Sequence, residues 1–245
     1  MFFGEMAVLS LRSASTLLRE GVYLGDLVKQ MAVVGADSLW IVLIITTATG
    51  AVFAFYTAML ATSIGFTQFV GGTLAYGFLN ELGPVLGGVA FAARAGAAMA
   101  AEIGTMVVTE QVDALRAMAV SPIRYLVLPR VLASLIMLPL LTVIADFAGL
   151  VGGYLFAERS GVSSALFLDS VYKFAQSVDM TRGLIKSVVF GFMVGLISCQ
   201  QGLRTSGGAS GVGRATTSSV MLGVMMIFIT DFFLAQILTG QIQRR

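Results

Sequence analysis

The sequence contains no histidine, one cysteine, three lysines and four prolines among its 245 residues. The absence of histidine excludes Ser-His-Asp and Cys-His catalysis, and it excludes every histidine-ligated metal site. Because Cys199 is the single cysteine, an internal disulfide, a CxxC motif and a thiolate zinc site are also excluded. We therefore expect no catalytic residues of these classes and no bound metal.

The three lysines also exclude one kind of nucleotide site. None of Lys29, Lys173 and Lys186 follows a glycine, so a Walker A loop ending in Gly-Lys-Ser/Thr is absent. We expect no cofactor in this chain and no ATP hydrolysis by it. If ATP drives the protein, then ATP and magnesium bind to a separate ATPase subunit. The basic residues are spread along a chain of net charge +2, which excludes a nucleic-acid-binding patch.

Charged residues are scarce throughout the chain. They make up 11% of the sequence, against about 25% in an average globular protein. Hydrophobic residues make up 57%, and the mean hydropathy is +0.92. A soluble domain cannot carry that much apolar surface, so the composition predicts an integral membrane protein.

Long apolar runs locate the membrane spans. A helix needs about 20 apolar residues to cross a hydrocarbon core that is roughly 30 Å thick. We predict five spans, at residues 39–62, 81–105, 126–156, 184–203 and 217–239. Residues 63–80 are uncharged but rich in Gly, Thr and Ser, which favours a short interfacial or re-entrant segment. Residues 157–182 are more polar and predict a loop.

The N-terminal region has a different pattern. Residues 1–37 mix apolar and charged side chains, and no apolar run there is long enough to span a membrane. We predict an amphipathic helix that lies in the membrane interface, with packing on other protein as the alternative. Residues 38–245 then form a single transmembrane domain. The fold class is all-α: an N-terminal interfacial amphipathic helix and about five transmembrane helices, with a cytoplasmic helix between spans 2 and 3.

That short cytoplasmic helix is predicted over residues 109–116. Thr109 is a suitable N-cap, and the acidic residues Glu110 and Asp113 fall in the first turn. Its apolar face consists of Val112, Leu115 and Met118. A short amphipathic helix of this kind can dock into a groove on a soluble partner. A plain connecting helix is the alternative interpretation.

The second span carries a regular series of small residues. One falls every four positions: Gly88, Ala92, Gly96, Ala100 and Gly104. Small residues on one face allow helix backbones to approach closely within a membrane. We expect this face to contact protein rather than lipid, either within the chain or at a dimer seam.

Several charged residues lie inside the predicted spans. Arg94 and Glu102 are eight residues apart, so they point to roughly the same side of one helix. With Asp231 they predict an intramembrane charge network, because a buried charge needs a partner or water. Asp146, Asp231 and Glu102 also leave open a stand-alone proton-coupled carrier. A Ser–Lys or paired-Asp intramembrane enzyme is the remaining alternative.

Residues 80–130 contain closely spaced motifs. They are Asn80-Glu81-Leu82-Gly83-Pro84, Ala93-Arg94-Ala95-Gly96, Ala101-Glu102-Ile103-Gly104, Thr109-Glu110-Gln111-Val112-Asp113 and Pro122-Ile123-Arg124-Tyr125. Together with matching stretches elsewhere in residues 33–240, they resemble the MlaE family of ABC-transporter permeases, the family associated with MCE-domain lipid transport.

This resemblance implies a homodimeric permease that clasps two cytoplasmic ABC ATPase subunits. It implies a further partner, an MCE-domain lipid-binding protein, with phospholipid or a similar lipid moving between the membrane and that partner. It also implies a multi-pass location in the plasma (inner) membrane of a bacterium, in preference to the inner envelope of a plastid.

The resemblance further implies two sites. The coupling helix that contacts the ATPase consists here of Thr109, Glu110, Gln111, Asp113, Leu115 and Arg116. The lipid cavity at the dimer interface is lined here by Val52, Phe55, Tyr56, Met59, Asn80, Glu81 and Leu82. Some relatives carry arginine where this chain has Asn80. If that arginine holds a lipid phosphate, its role is moved or missing here.

Overall fold

The computed structural model describes residues 2–240, and the side chains of residues 4–238. Residue 1 and residues 241–245, at the outer ends of the two predicted regions, lie outside the described residues. Over residues 2–240 the chain is helical and forms no strand. Five helices in this part of the chain are long and apolar enough to cross a membrane. The all-α membrane fold predicted from composition is confirmed.

Eight helices follow one another along the described residues. They are α1 (Phe2–Glu20), α2 (Leu24–Ile64), α3 (Thr67–Val108), α4 (Gln111–Ala117), α5 (Ile123–Arg159), α6 (Ser164–Phe174), α7 (Ser177–Leu203) and α8 (Gly208–Gly240). The five long helices are α2, α3, α5, α7 and α8. As predicted, a short helix, α4, lies between the second and third of them.

The N-terminal region begins with the predicted helix, α1, but this helix ends at Glu20. Gly21 has a φ of +68°, a conformation that glycine adopts without strain, and it turns the chain away from α1. Arg124 fixes the turn: its Nη2 donates to the carbonyl of Glu20 at 2.7 Å, and its guanidinium lies 4.5 Å from the ring of Tyr23. Residues 24–37 therefore belong to the helix that carries the first span.

The interfacial or re-entrant segment predicted over residues 63–80 is not a separate element. Gly65, with a φ of +78°, ends α2, and α3 then runs without interruption from Thr67 to Val108. Two glycines in this stretch, Gly71 and Gly72, are packing sites for α6, a helix inside the segment predicted as a loop. Gly72 donates its backbone N–H to Ser170 Oγ at 2.8 Å, and a side chain on Gly71 would meet the carbonyl of Phe167.

The contacts within the chain group into two compact units. Unit 1 comprises the described residues up to Ser38, Phe91–Leu138 and Val188–Phe233. Its buried apolar cluster consists of Ile103, Val127, Val131, Leu196 and Cys199, with Met6 and Leu9 of α1 packed against it.

Unit 2 comprises Leu39–Ala90, Pro139–Ser187 and the described residues from Leu234 onward. Its larger buried cluster consists of Ala54, Ala58, Val70, Leu74, Phe78, Ala157, Val162 and Phe167. The amphipathic helix α6 supplies Phe167, which packs edge-on to Tyr154 with ring centroids 5.6 Å apart. The cover of α6 over residues 70–77 explains why that glycine-rich stretch is helical rather than open.

Candidate functional site

The short helix α4 presents a charged outer surface. The chain enters it through Glu110, which has a φ of +59°, a left-handed conformation that a residue with a side chain seldom adopts. Thr109 was predicted as the N-cap, but this prediction is wrong. Its hydroxyl donates to the carbonyl of Thr105 at 2.8 Å, so it completes the end of α3, and Glu110 takes the N-cap position.

Some side chains of α4 are buried and anchor the helix, and the others are exposed. Val112 is buried and Leu115 is half-buried, so these two fix the helix to unit 1. Met118, the third residue of the predicted apolar face, is exposed. The exposed polar residues are Glu110, Gln111, Asp113 and Arg116. Arg116 Nη1 donates to Asp113 Oδ1 at 2.7 Å, which leaves a partly neutralised polar ridge facing outward.

The second feature is an apolar groove on α2. It has a volume of about 740 Å³, and its lining carries no charged side chain. Its walls are Trp40, Leu43, Ile44, Thr47, Ala48, Ala51, Val52, Phe55, Tyr56 and Phe156. The large side chains are conspicuously open: Trp40 is 71% exposed and Tyr56 is 66% exposed. An exposed apolar surface of this size on a membrane helix is suited to an acyl chain or to another apolar helix face.

The seven residues predicted for the lipid cavity separate into two places within unit 2. Val52, Phe55 and Tyr56 line the apolar groove. Met59 lies beside it, in a smaller cavity of about 390 Å³ that also includes Phe55. The other three, Asn80, Glu81 and Leu82, are not among the residues that line either cavity. They lie in a π-helical turn of α3, Phe78–Leu82.

A polar cluster surrounds that π turn. Glu81 Oε2 accepts a hydrogen bond from Lys186 Nζ, and the Lys186 side chain is 2% exposed. Arg182 Nη1 lies 3.5 Å from Asn80 Oδ1 and 3.3 Å from Asp179 Oδ1. Two cations from α7 therefore meet the Asn80-Glu81 pair of α3.

Sequence reasoning did not assign Asp179, Arg182 or Lys186 to this site. One signal was available, because Lys186 is a charged residue within the hydrophobic helix α7, and such residues are usually paired and functional. The pairing itself links residues 105 positions apart, which no local pattern indicates. Arg182, from another helix, places a positive charge beside Asn80.

Two of the three residues predicted as an intramembrane charge network, Arg94 and Glu102, form separate ion pairs in unit 1. Arg94 Nη2 lies 2.7 Å from Asp37 Oδ2, and Arg130 Nη2 lies 2.8 Å from Glu102 Oε2. Arg94 and Glu102 thus engage different carboxylate and guanidinium partners. Asp231, the third predicted member, is partly buried in α8.

The small-residue face of α3 is confirmed as a protein contact over its part in unit 1. Ala92 and Ala100 are fully buried, and a side chain on Gly96 would meet Ser198 of α7 at 3.0 Å. The hydroxyl of Ser219, in α8, lies 3.4 Å from the Gly96 carbonyl and 2.9 Å from Ser198 Oγ. Three helices therefore meet at Gly96, where the lack of a side chain leaves room for the contact, as expected of small residues in a membrane.

Comparison with known proteins connects these features to one family. The family model described as Permease MlaE matches residues 27–237, which covers α4, the apolar groove and the polar cluster. The match includes all five long helices almost completely.

Curated relatives match over nearly the whole chain. A probable ABC transporter permease protein of Rickettsia conorii is 38% identical over 240 residues, covering 96% of this chain and 91% of the relative. A probable ABC transporter permease protein of Synechocystis is 44% identical over 208 residues, covering 84% and 79%. The chloroplastic protein trigalactosyldiacylglycerol 1 of Arabidopsis thaliana is 38% identical over 220 residues, covering 89% of this chain and 63% of the relative.

Proposed function

The chain belongs to the MlaE permease family and is a multi-pass permease component of an ABC transporter, and from this premise we propose that its cargo is a lipid. The single observation that carries the proposal is the apolar groove on α2, whose lining has no charge and whose large side chains are open. A lipid acyl chain fits such a surface, whereas an ion or a sugar requires polar ligands. One relative, the Arabidopsis protein, has a glycerolipid in its name.

The polar cluster complements the groove in this proposal. A phospholipid needs a cationic or hydrogen-bonding site for its headgroup, and Arg182, held by Asp179, supplies both groups together with Asn80. The arginine that some relatives carry at position 80 is then replaced in function by Arg182. The cargo is phospholipid or a similar lipid, which passes between the membrane and an MCE-domain lipid-binding partner. Val52, Phe55, Tyr56 and Met59 contact the acyl chains, and Asn80, Glu81 and Leu82 lie near the headgroup.

The energy for transport comes from two cytoplasmic ABC ATPase subunits that bind ATP and magnesium. Each contacts one copy of the permease in a homodimer through α4. The contact surface is the exposed ridge of Glu110, Gln111, Asp113 and Arg116, with Leu115 behind it. Val112 anchors the helix in unit 1, so movement of the ATPase is transmitted to the spans. By this scheme the protein lies in the plasma (inner) membrane of a bacterium.

Charge reversal on α4 tests the coupling part of this proposal. In the Glu110→Lys, Asp113→Lys variant the carboxylates of the ridge become cations, and we expect recovery of the ATPase in a tagged pull-down to fall at least tenfold. The thermal midpoint of the membrane protein should remain within a few degrees of wild type, because both side chains are exposed. The matched control is Glu158→Lys, Asp169→Lys, which reverses two exposed carboxylates between the third and fourth spans.

The same pull-down, analysed by mass spectrometry, tests the cargo. Recovery of an ATPase and an MCE-domain protein together with phospholipid supports the proposal. If the double variant on α4 still binds the ATPase at wild-type stoichiometry, α4 is not the coupling helix. If wild-type protein with its ATPase hydrolyses ATP in proteoliposomes but moves no lipid, the cargo assignment is wrong.

One observation supports a second candidate, the stand-alone proton-coupled carrier. Asp146 in α5 is 5% exposed, and its Oδ1 has no hydrogen-bond partner among the described residues. Of the other carboxylates considered for this role, Glu102 is already paired with Arg130. The carrier predicts transport by the chain alone, driven by a pH gradient and abolished by Asp146→Asn. Transport that requires ATP and the ATPase, and that persists in Asp146→Asn, excludes it.

A further inference from the structure

A further cavity lies in unit 1, and of its lining the transport scheme above uses only Arg116. It has a volume of about 820 Å³. Four elements form it: α1, the C-terminal part of α4, the segment 121–123 and the end of α7. We call it the N-terminal groove. It differs from the groove on α2 because charged side chains line it.

The charges of the N-terminal groove are mostly positive. Its lining includes Arg12, Arg116 and Arg204, with Glu5 as the single carboxylate. Glu5 is already engaged: its Oε2 lies 3.2 Å from Arg204 Nη1 and 3.1 Å from Gln200 Nε2. Arg116 is bound to Asp113.

Arg12 is the cation of this groove that remains free to bind a ligand. Its side chain is exposed, and among the described residues it makes neither an ion pair nor a hydrogen bond. Because Glu5 is satisfied by Arg204 and Gln200, no free carboxylate competes for the Arg12 guanidinium. The groove therefore attracts an anion, and its geometry places that anion near α1.

Apart from Ser121 and Gln200, the rest of the lining is uncharged and mostly apolar. Leu9, Ile123 and Leu203 line the groove and also pack against the buried cluster of unit 1, while Val8 is 48% exposed. Ile123 begins the third long helix and Leu203 ends the fourth. The groove therefore lies where two membrane spans end, at the level at which lipid headgroups meet water.

A mostly apolar lining beside one unneutralised cation, Arg12, fits an amphiphile with an anionic head. We propose that the N-terminal groove binds the headgroup of an anionic phospholipid of the surrounding leaflet, with Arg12 as its principal contact and Val8 against its chains. This lipid is resident rather than transported, and the inference does not depend on the cargo of the α2 groove. A zwitterionic lipid is disfavoured, because no free carboxylate is available for its ammonium group.

The test compares Arg12→Gln with Arg19→Gln. Both remove one positive charge from an exposed position of α1, but Arg19 does not line the groove. The full chain is reconstituted in nanodiscs of one part phosphatidylglycerol to three parts phosphatidylcholine, and lipid retained through detergent extraction is quantified by mass spectrometry. We expect wild type and Arg19→Gln to retain phosphatidylglycerol in preference to phosphatidylcholine. In Arg12→Gln we expect the ratio of retained phosphatidylglycerol to phosphatidylcholine to fall about fivefold, because one basic residue at a membrane surface has an effect of that size.

A second variant protects the test against misfolding. Gly4 lines the groove, and no atom lies within 4 Å of a side-chain carbon built on it, so Gly4→Glu adds a carboxylate without a collision. We expect it to reduce phosphatidylglycerol retention at least as much as Arg12→Gln does. Equal retention in wild type, Arg12→Gln and Gly4→Glu would overturn the proposal.

Two further outcomes identify a different occupant. If Arg12→Gln reduces recovery of the ATPase but leaves lipid retention unchanged, the groove holds an acidic protein surface instead of a lipid. If millimolar inorganic phosphate displaces the retained phosphatidylglycerol, the site binds free phosphate and the apolar lining contributes nothing. Either result overturns the lipid assignment. Insensitivity to phosphate, with loss in Arg12→Gln, supports it.

Discussion

The two faces of α2 within unit 2 show the strongest contrast in the molecule. On one face, the residues at every fourth position are fully or almost fully buried, and the last three have the smallest side chains: Val42, Thr46, Gly50, Ala54 and Ala58. Another face with the same spacing is open, and all but one of its side chains are larger: Trp40, Ile44, Ala48, Val52, Tyr56 and Leu60. Both faces are uncharged and almost wholly apolar. They differ in the size of the side chain rather than in its polarity.

This contrast follows from the solvent. In water, large apolar side chains are buried because burial removes them from water. In a bilayer, lipid tails are as apolar as leucine, so helix association depends on close packing, which favours small residues. The buried face of α2 meets the backbone of α5 at Gly149, and large side chains there would separate the two helices. The open face is left for lipid or for another apolar partner.

The largest effect is expected from a side chain placed at the close crossing. A Cβ on Gly50 would lie only 2.9 Å from the Cα of Gly149, and backbone cannot move aside as a side chain can. We expect Gly50→Leu to lower the free energy of unfolding by about 3 kcal/mol or more, with loss of most folded protein in detergent. Size-exclusion chromatography with a thermal melt measures this.

The matched control for that variant is Ala48→Leu, two residues away on the exposed side of α2 and within the apolar groove. It should change the melting temperature by no more than a few degrees. If both leucine variants melt alike, the size rule for the two faces is wrong.

A smaller effect is expected from the ion pair between the buried Lys186 and the partly exposed Glu81 in unit 2. Glu81→Gln leaves a buried ammonium without that carboxylate, whereas Lys186→Met leaves a carboxylate whose side chain is 43% exposed and can be solvated. We expect Glu81→Gln to cost roughly 2 kcal/mol, below the range for a fully buried pair, and Lys186→Met to cost less. Chemical denaturation of both variants measures the difference, and the reverse order would show that Glu81 is the more deeply buried partner.

A substitution at Phe55 is expected to have the smallest effect on stability but a large effect on the amount of co-purified phospholipid. Phe55 lines the apolar groove on α2 and the smaller cavity beside it. Phe147 is an exposed aromatic residue of α5 that lines neither of them. We expect Phe55→Ser to reduce co-purified phospholipid severalfold with a stability change below about 1 kcal/mol, since little packing is lost. Phe147→Ser should retain wild-type lipid. Equal lipid loss in both variants would mean that the α2 groove is ordinary lipid-facing surface.

Much of the fold could be predicted because hydropathy is a local property. The five long helices and the short helix between the second and third all follow from the length and charge content of successive segments. The errors occur where a local pattern has two interpretations. The glycines at positions 71 and 72 suggested an open segment, but they permit the close contact with α6. Thr109 was a suitable N-cap for α4, but its hydroxyl donates a hydrogen bond to a carbonyl within α3.

The sequence by itself determined that this is a membrane protein, that it lacks a Walker A motif, and that α4 carries acidic residues. Those conclusions depend only on which residues are present and how they are spaced. Only the tertiary structure decided that Lys186 pairs with Glu81, that Arg94 pairs with Asp37, and which side of α2 is open. These outcomes depend on how side chains distant in sequence fit together. Hydropathy does not reveal that fit, because in a membrane helix the side that faces lipid and the side that faces protein are both apolar.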